Sequence, residues 1–520
     1  MIKEKRLGKN STTFQESDPF QGHIMVVYDV KVLLAFLEES TEVVPKARGS
    51  FAILFTSLKC PTHYETNHAL KQLWTNHGTA NLIAFCDNIY VYHPFSKNDS
   101  TWGATLDYSP ATETPNLFRN FNGYLLRVSL FKRPPTALKQ VPSYISNNPI
   151  YRDLKPGDFA GLDGTLLRFL SNYLNFTVVI DESHPTHGRV LKNGTITGSL
   201  SDVVSHRVDF SANDWFLIDY QTPEIEPTVP FSYDQVCPVV SKALKVPQWK
   251  AFFFIFDLTS WVLIFFMWLC CVFVWHVLNP FRDLSTIIWE ICSVLFGNPV
   301  NVVPLSNQHM FLGSCMVLNI IIMGIIQGSV FTDFTTTTFH KDINTLEELD
   351  EAGLKIASSA WYLDFDTTDL IKRLKTKQIR NYIGSYKDTA FKRGMAVLGR
   401  KQDVEHMVKV EFVAEDGSPL LHVTSECLQT FLLVSLFPKG SPFLPTFNNV
   451  ITRLFEAGLT VKWYQDVTST GTMLQQMKNF ANRRPTGLFS LNDAKLAFYA
   501  LFVGYIASFV TFLTEILTSK

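Results

Sequence analysis

Hydrophobic and polar positions change period repeatedly along these 520 residues, and three long apolar windows interrupt the pattern. "WVLIFFMWLCCVFVWHVL" (261–278) has one polar interruption, His276. "MFLGSCMVLNIIIMGIIQGSVF" (310–331) contains Asn319 and Gln327, and "LAFYALFVGYIASFVTFL" (496–513) lies between Lys495 and Glu515. Each approaches the ~20 residues a helix needs to cross ~30 Å of hydrocarbon, a length that core helices of a large soluble protein rarely reach without a charge. The pattern predicts spanning helices at 258–278, 309–332 and 494–516. Between the first two sits "TIIWEICSVLFGNPVNVVP" (286–304), which is apolar and aromatic, yet too short and too interrupted at Gly-Asn-Pro to cross by itself.

Outside the windows the period switches between two and about 3.6, the signature of alternating strands and helices. "HIMVVYDV", "FAILFTS" and "NLIAFCD" read as strands and "YETNHALKQLW" as a helix, which gives residues 1–116 a divergent α/β character. The polar stretch 96–116, rich in Ser, Thr, Asp and Pro, reads as a linker. "YLLRVSLF" (124–131) is then a strand, and "GLDGTLLRFLSNYLNFTVVI" a helix with Leu166, Leu167, Leu170, Tyr173 and Leu174 on one face, running into a strand at Phe176–Ile180. "SLSDVVSHRVDFSA" repeats helix-then-strand. This is half of a doubly wound domain.

The other half follows the second window. In "INTLEELDEAGLKIASS", Asn344 or Thr345 caps the helix, Glu348 completes a capping box with Thr345, and Gly353 stops it before a strand. "KGSPFLPTFNNVITRLFEAGL" places Val450, Ile451, Leu454 and Phe455 on one face and ends at Gly458. One α/β ligand-binding architecture, 117–250 and 340–485, is therefore split by membrane segments.

Composition adds little to this. A net charge of −1 with no basic run gives no reason to expect nucleic acid, and the mean hydropathy of +0.08 reflects the three windows. Four Asn-X-Ser/Thr sequons (Asn10, Asn98, Asn175, Asn193) all precede Trp261, which fits an extracellular, glycosylated amino-terminal half. "MIKEKRLGKN" is polar and is not a signal peptide, so either the first spanning helix directs translocation or the true beginning is missing; the second is the expectation. Cys270, Cys271, Cys292 and Cys315 fall in membrane segments, whereas Cys60, Cys86, Cys237 and Cys427 would meet an oxidising exterior where disulfides form. Cys60, His63, His68 and Cys86 could also be drawn as a zinc set, but the spacing matches no usual ligand pattern, and neither metal nor cofactor is expected. Hydrolase, Walker and dinucleotide motifs are absent from the sequence, so an enzyme is not expected.

The order of these segments is similar to that of the ionotropic glutamate receptor superfamily, and within it to the divergent insect ionotropic receptors used in chemosensation. The resemblance runs from about Asn116 to the C-terminus. It is carried by "NGYLLRVSLFKRPP", "GLDGTLLRFLSNYLNFTV", "FPKGSPF" with "RLFEAGLTVKW", and "SLNDAKLAFYALFVGYIASFVTFLTEIL". It implies a membrane protein with a bilobed, periplasmic-binding-protein-like α/β ligand-binding domain split by transmembrane helices, three spanning helices in all, and a re-entrant pore loop at 284–303. Its implied function is that of a chemosensory ligand-gated cation channel subunit, or alternatively a non-conducting tuning subunit that relies on co-receptors for the pore. The implied setting is the plasma membrane, with the amino-terminal region outside and the C-terminus in the cytoplasm. Expected partners are an odorant or tastant, membrane lipids, and co-receptor subunits in a heterotetramer.

Within that frame, residues 284–296 form a pore helix and Gly297, Asn298 and Pro299 the apex turn, Gly allowing close approach and Pro forbidding continuation. An amphipathic hairpin on the inner leaflet is the alternative. Glu290 is either an ion-attracting charge or a vestibule side chain. Asn319, Gln327, Ser329 and Thr332 are gate candidates because their polar groups are costly against lipid, and Gly328 ends a small-xxx-small pattern from Gly324 that serves close helix packing or a gating hinge. Counting back from Pro230-Phe231 puts Gln221 where glutamate-binding members carry an Arg, and no Arg lies between Arg207 and Pro230. Arg400 falls near the position of the acid that holds a ligand's amine. The resemblance thus implies a cleft near Asp214, Trp215, Phe216, Tyr220, Gln221, Thr222, Ser358, Ser359 and Arg400, and a ligand other than glutamate.

Overall fold

The computed structural model describes residues 23–39, 50–57, 59–79, 81–98, 101–108, 117–139, 151, 157–191, 193–246, 256–298, 306–335, 339–358, 360–364, 368–379, 386–414, 417–482 and 495–518. These fall into two units: residues 1–241 with 344–481, and residues 242–343 with 482–520.

In the first unit, the amino-terminal apolar runs become β1 (His23–Val27), β2 (Ser50–Phe55) and β3 (Asn81–Phe85), which pair in parallel. Helix His63–His77 precedes β3. Thr62 accepts from the Glu65 N–H while the Glu65 side chain accepts from Thr62, a capping box, and Gly78 ends the helix in the left-handed region. The chain then turns back as β4 (Ile89–Asn98) and β5 (Thr101–Asp107), completing a sheet of order β1-β2-β3-β4-β5. This corrects the linker reading of 96–116. Residues 96–98 and 101–107 are strand residues, with Ala104 and Thr105 buried, whereas 99–100 and 109–116 lie outside the described residues. Cys60 and Cys86 form a disulfide, His63 Nε2 lies 3.0 Å from Thr105 Oγ1, and His68 is exposed, so the zinc alternative does not assemble.

A second, ten-stranded sheet is built from both sides of the membrane segments. Before them come β6 (Tyr124–Ser129), β7 (Phe176–Asp181), β8 (Phe210–Phe216), the short β9 (Ile225–Pro227) and β10 (Ser232–Ser241). After them come β11 (Lys355–Ala357), β12 (Gln378–Ile379), β13 (Met395–Arg400), β14 (Leu421–Val423) and β15 (Gln429–Pro438). The order β12-β11-β13-β10-β15-β8-β6-β7 places a parallel trio at each end, joined through the long antiparallel strands β10 and β15. β10 leaves toward the membrane segments, yet pairs with β13 from Val236↔Arg400 to Val239↔Val397 and with β15 from Ser232↔Leu433 to Val236↔Gln429. Cys237 and Cys427 add a disulfide across a separation of 190 residues. The mixed sheet is compatible with a two-lobed domain.

The capping box at Thr345 and Glu348 forms as the sequence predicts, with Gly353 at φ 65° beyond the helix. Two stripe residues differ. Tyr173 is 54% exposed, whereas helix Gly161–Leu174 buries Leu162, Leu166, Leu167, Leu170 and Leu174. Phe455 is 49% exposed, and helix Leu444–Glu456 buries Leu444, Phe447, Val450, Ile451 and Leu454. In each case the misassigned residue adjoins the last buried leucine, about 100° round the helix and just off the stripe. An aromatic cluster joins the two sheets: Phe95 lies 4.7 Å from Phe121 and 5.4 Å from Tyr124, and Trp74 5.9 Å from Phe443. Trp74 Nε1 donates to Tyr124 Oη at 3.3 Å.

Among the described residues, the second unit holds three helices long and apolar enough to cross a membrane: Leu258–Leu278, Gln308–Ser329 within helix Ser306–Thr335, and Phe498–Leu517 within helix Lys495–Thr518. A short apolar helix, Leu284–Leu295, lies between the first two. Its Ile287, Ile291 and Val294 pack on Cys271, Val272 and Trp275 of the first long helix and Cys315 of the second.

Candidate ligand cleft and pore segment

Two buried arginines meet where the two ends of the large sheet face one another. Arg133 follows β6 in a turn that its own backbone closes with Ala137. Asn213 of β8 fixes that turn: its Oδ1 accepts from the Phe131 N–H and its Nδ2 donates to the Phe131 carbonyl, both at 3.0 Å. Arg133 then forks onto Asp403, with Nε and Nη2 at 3.0 and 2.7 Å from the two carboxylate oxygens. Arg400, at the end of β13, donates from Nε to Asp234 Oδ2 at 3.0 Å and from Nη1 to the Asp214 carbonyl at 2.7 Å. Its guanidinium lies 4.2 Å from the centre of the Phe216 ring.

Acids outnumber these bases. Asp163 enters from the first turn of helix Gly161–Leu174, which sits close against the Thr136 turn; a Cβ on Gly161 (φ +91°) would lie 2.3 Å from the Thr136 carbonyl oxygen. Burial, together with the neighbouring Asp214 charge, pushes the Asp163 carboxyl well above the usual carboxylate range. Asp214 is fully buried, with one carboxylate oxygen 3.8 Å from Arg133 Nη1. Burial raises Asp234 as well, against the pull of Arg400. Burial works against the Arg133 charge, but Asp403, Asp214 and Asp163 outweigh it and hold the guanidinium protonated. Burial and both guanidinia push His187 well below its ordinary value, so it is neutral at pH 7.

Of the residues expected from sequence, Asp214, Phe216 and Arg400 come together. Trp215 instead points into the core, where it packs with Leu200, Val434 and Leu436, lies 4.8 Å from His187 and donates from Nε1 to Ser211 Oγ at 2.9 Å. Its neighbour on the strand must face the opposite side of the sheet. Tyr220 donates to the Phe216 carbonyl at 2.8 Å and, with Thr222, Phe216, Ile225, Val434 and Leu436, lines a separate cavity of about 150 Å³. Gln221 lies in an exposed turn at φ 59°. Ser358 Oγ accepts from Gln378 Nε2 at 2.9 Å, and Ser359 lies outside the described residues. Arg133, Asp163, Asp234 and Asp403 were not found from the sequence. The available signal was a charge set inside buried apolar strand and helix patterns, as in "FSANDWF" and "GLDGTLL".

In the membrane unit, Gly297 has φ 77° and its N–H donates to the Val294 carbonyl at 3.0 Å, while Asn298 N–H reaches the Ser293 carbonyl at 2.8 Å. This is a Schellman cap, so glycine is required there by backbone conformation alone. Pro299 lies outside the described residues. Glu290 is not a free charge: it pairs with Arg282 and accepts from Trp275 Nε1 at 2.8 Å, tying the short helix to the first long one. A Cβ on Gly297 would lie 3.8 Å from Asn319 Nδ2, which brings one pore and one gate candidate together. Gln327, Gly328 and Thr332 are exposed and Ser329 half-buried, with Thr332 Oγ1 donating to the Gly328 carbonyl at 2.9 Å. Among the sequons, Asn175 and Asn193 are exposed, Asn98 ends β4 and Asn10 lies outside the described residues.

No protein-family model matches the chain. Two curated relatives do, both named Ionotropic receptor 21a. The Anopheles gambiae protein is 23% identical over 388 residues, 68% of this chain and 38% of the relative. The Drosophila melanogaster protein is 20% identical over 398 residues, 68% of this chain and 46% of the relative. The chain therefore spans less than half the length of the relatives it matches. Two apolar helices interrupt one α/β unit and a third follows it, and together with these relatives they support a membrane protein similar to the insect ionotropic receptor family.

Proposed function

We propose that the chain is a chemosensory ionotropic receptor subunit of the plasma membrane, a cation channel whose pore opens when ligand closes a two-lobed extracellular domain. The observation that carries this reading is the pairing of β10 with β13 and β15 across the membrane segments. Both linkers to the first two spanning helices leave the same side of this sheet, one after β10 and one before β11, so the β11-β13 end carries them while the β8-β6-β7 end does not. Any change in the angle between those ends then pulls on the linkers at 242–245 and 339–342. Those linkers are themselves tied: Lys242 pairs with Asp342, and His340 N–H donates to the Leu244 carbonyl at 3.0 Å.

In this reading 284–303 is the re-entrant pore loop, the helix at 309–332 the gate, and the C-terminus cytoplasmic. The exposed amide of Gln327 faces neighbouring subunits or the pore, because a polar group there is costly against lipid. Four subunits, including co-receptors of the same family, complete the channel. Glutamate is not the ligand: both guanidinia already hold carboxylates of the chain, and a ligand carboxylate would have to displace them. A small odorant or tastant is the expected agonist. The non-conducting tuning subunit draws on Glu290, whose carboxylate is taken by Arg282 and Trp275 instead of facing an ion.

The deciding experiment records ligand-evoked current from cells expressing the chain alone, a broadly expressed co-receptor alone, and both. Current from the chain alone establishes a conducting subunit, and current only from the pair establishes the tuning role. No new response with any co-receptor would refute the receptor reading. A tag at Asn301 should label only after permeabilisation, and labelling of intact cells would contradict the topology.

A further inference from the structure

The cleft region contains two opposed ties between the ends of the large sheet, both made by groups of the chain itself. From the β6 side, Arg133 reaches Asp403 on helix Lys401–Val410, beside β13. From the β13 side, Arg400 reaches the Asp214 carbonyl on β8 and covers Phe216. Both guanidinia are buried. A forked guanidinium–carboxylate pair is directional, so it holds one separation of its two elements and is lost when they part by a few ångströms. Asp214 faces Arg133 from the strand of its own side at 3.8 Å, and Asp403 holds it from the opposite side at the shorter 2.7 Å.

We infer that Arg133 and Asp403 form an interlobe latch, which holds the cleft shut in the absence of a small molecule and sets the resting angle between the lobes. This rests on the two-lobed reading above and adds to it that closure has an internal source. A ligand acting in the cleft would then have to replace the Asp403 carboxylate on Arg133, or act on lobes already joined. Arg400 is the supporting tie: its Nε is held by Asp234 on the connecting strand β10, so it remains anchored when the latch opens.

Hydrogen–deuterium exchange on the purified full chain tests this without current or ligand, so a subunit that proves non-conducting leaves the result readable. Arg133→Gln and Asp403→Asn should each speed exchange at 131–138 and 400–410 by about tenfold or more, the factor expected for losing a charged hydrogen bond. Amides of β1–β3 and helix His63–His77 should keep their wild-type rates. The double variant should be no faster than the faster single one, because both remove the same tie. Should Arg133→Gln fail to fold, Arg133→Lys keeps the charge but loses the fork, and should show the same local acceleration. Wild-type exchange in the single variants, or effects that multiply in the double, would overturn the latch.

Discussion

The helix Leu444–Glu456 and the helix Lys495–Thr518 are both rich in apolar residues, and they treat them in opposite ways. The first buries Leu444, Phe447, Val450, Ile451 and Leu454 on one stripe, and leaves Glu456 in water. The spanning stretch of the second is 0% buried, with Phe502, Tyr505 and Phe509 each more than half exposed. Burial inside the chain drives the first to pack, whereas the second is stable only if a lipid core replaces that packing. Charge shows the same division. The α/β unit gathers Arg133, Arg400, Asp163, Asp214, Asp234 and Asp403 in one buried cluster, while the membrane unit has Glu290 closed off by Arg282 and Trp275. Two solvents act on one chain, and residue type alone does not say which one a helix meets.

Substituting one phenylalanine in each region separates them most sharply. Phe437, fully buried and stacked 4.8 Å from Phe210, should cost about 3–5 kcal/mol of α/β stability as Phe437→Ala. Phe509→Ala should leave that stability unchanged, whereas Phe509→Lys should cost about 3 kcal/mol of membrane insertion. Thermal melts of the purified chain and a glycosylation-mapping insertion assay read the two effects. Equal destabilisation by both alanine variants would erase the distinction.

Removing the disulfide across the insertion with Cys237→Ser and Cys427→Ser should lower α/β stability by about 2–4 kcal/mol. The melting temperature of the membrane unit should not move. A shift of both transitions together would mean the two regions unfold as one.

Within the membrane unit, Glu290→Gln leaves Arg282 without its charged partner and should destabilise by about 1.5–3 kcal/mol, with partial recovery in Arg282→Gln/Glu290→Gln. If instead Glu290→Gln keeps full stability while altering ion selectivity, the carboxylate faces the pore. The smallest effect belongs to the capping box: Thr345→Ala should cost about 1 kcal/mol, visible as faster exchange at 346–351 and little elsewhere.

Much of the architecture was legible because it is written locally. The Thr345–Glu348 capping box, the glycines at 353 and 458, and the three apolar windows each declare themselves within a few residues. The hairpin at 96–107 was misread because its turn residues dominate a short polar stretch, and Tyr173 and Phe455 because each sits one residue off its stripe. The cleft was only half legible. Arg133 and Asp403 are 270 residues apart, and no local pattern marks them as partners. Counting back from Pro230-Phe231 reached only the segment after β8, whereas the buried Arg133 lies in the turn after β6.

The most direct test of the central claim, one α/β unit interrupted by membrane segments, is to remove the interruption. Residues 1–246 joined by a short linker to 340–485 should give a soluble protein with a single cooperative thermal transition and the Cys237–Cys427 bond detectable by mass spectrometry. Neither half alone should fold, since β10 lacks its partners in one and β13 and β15 lack theirs in the other. A disordered fusion beside a half that folds alone would contradict the account.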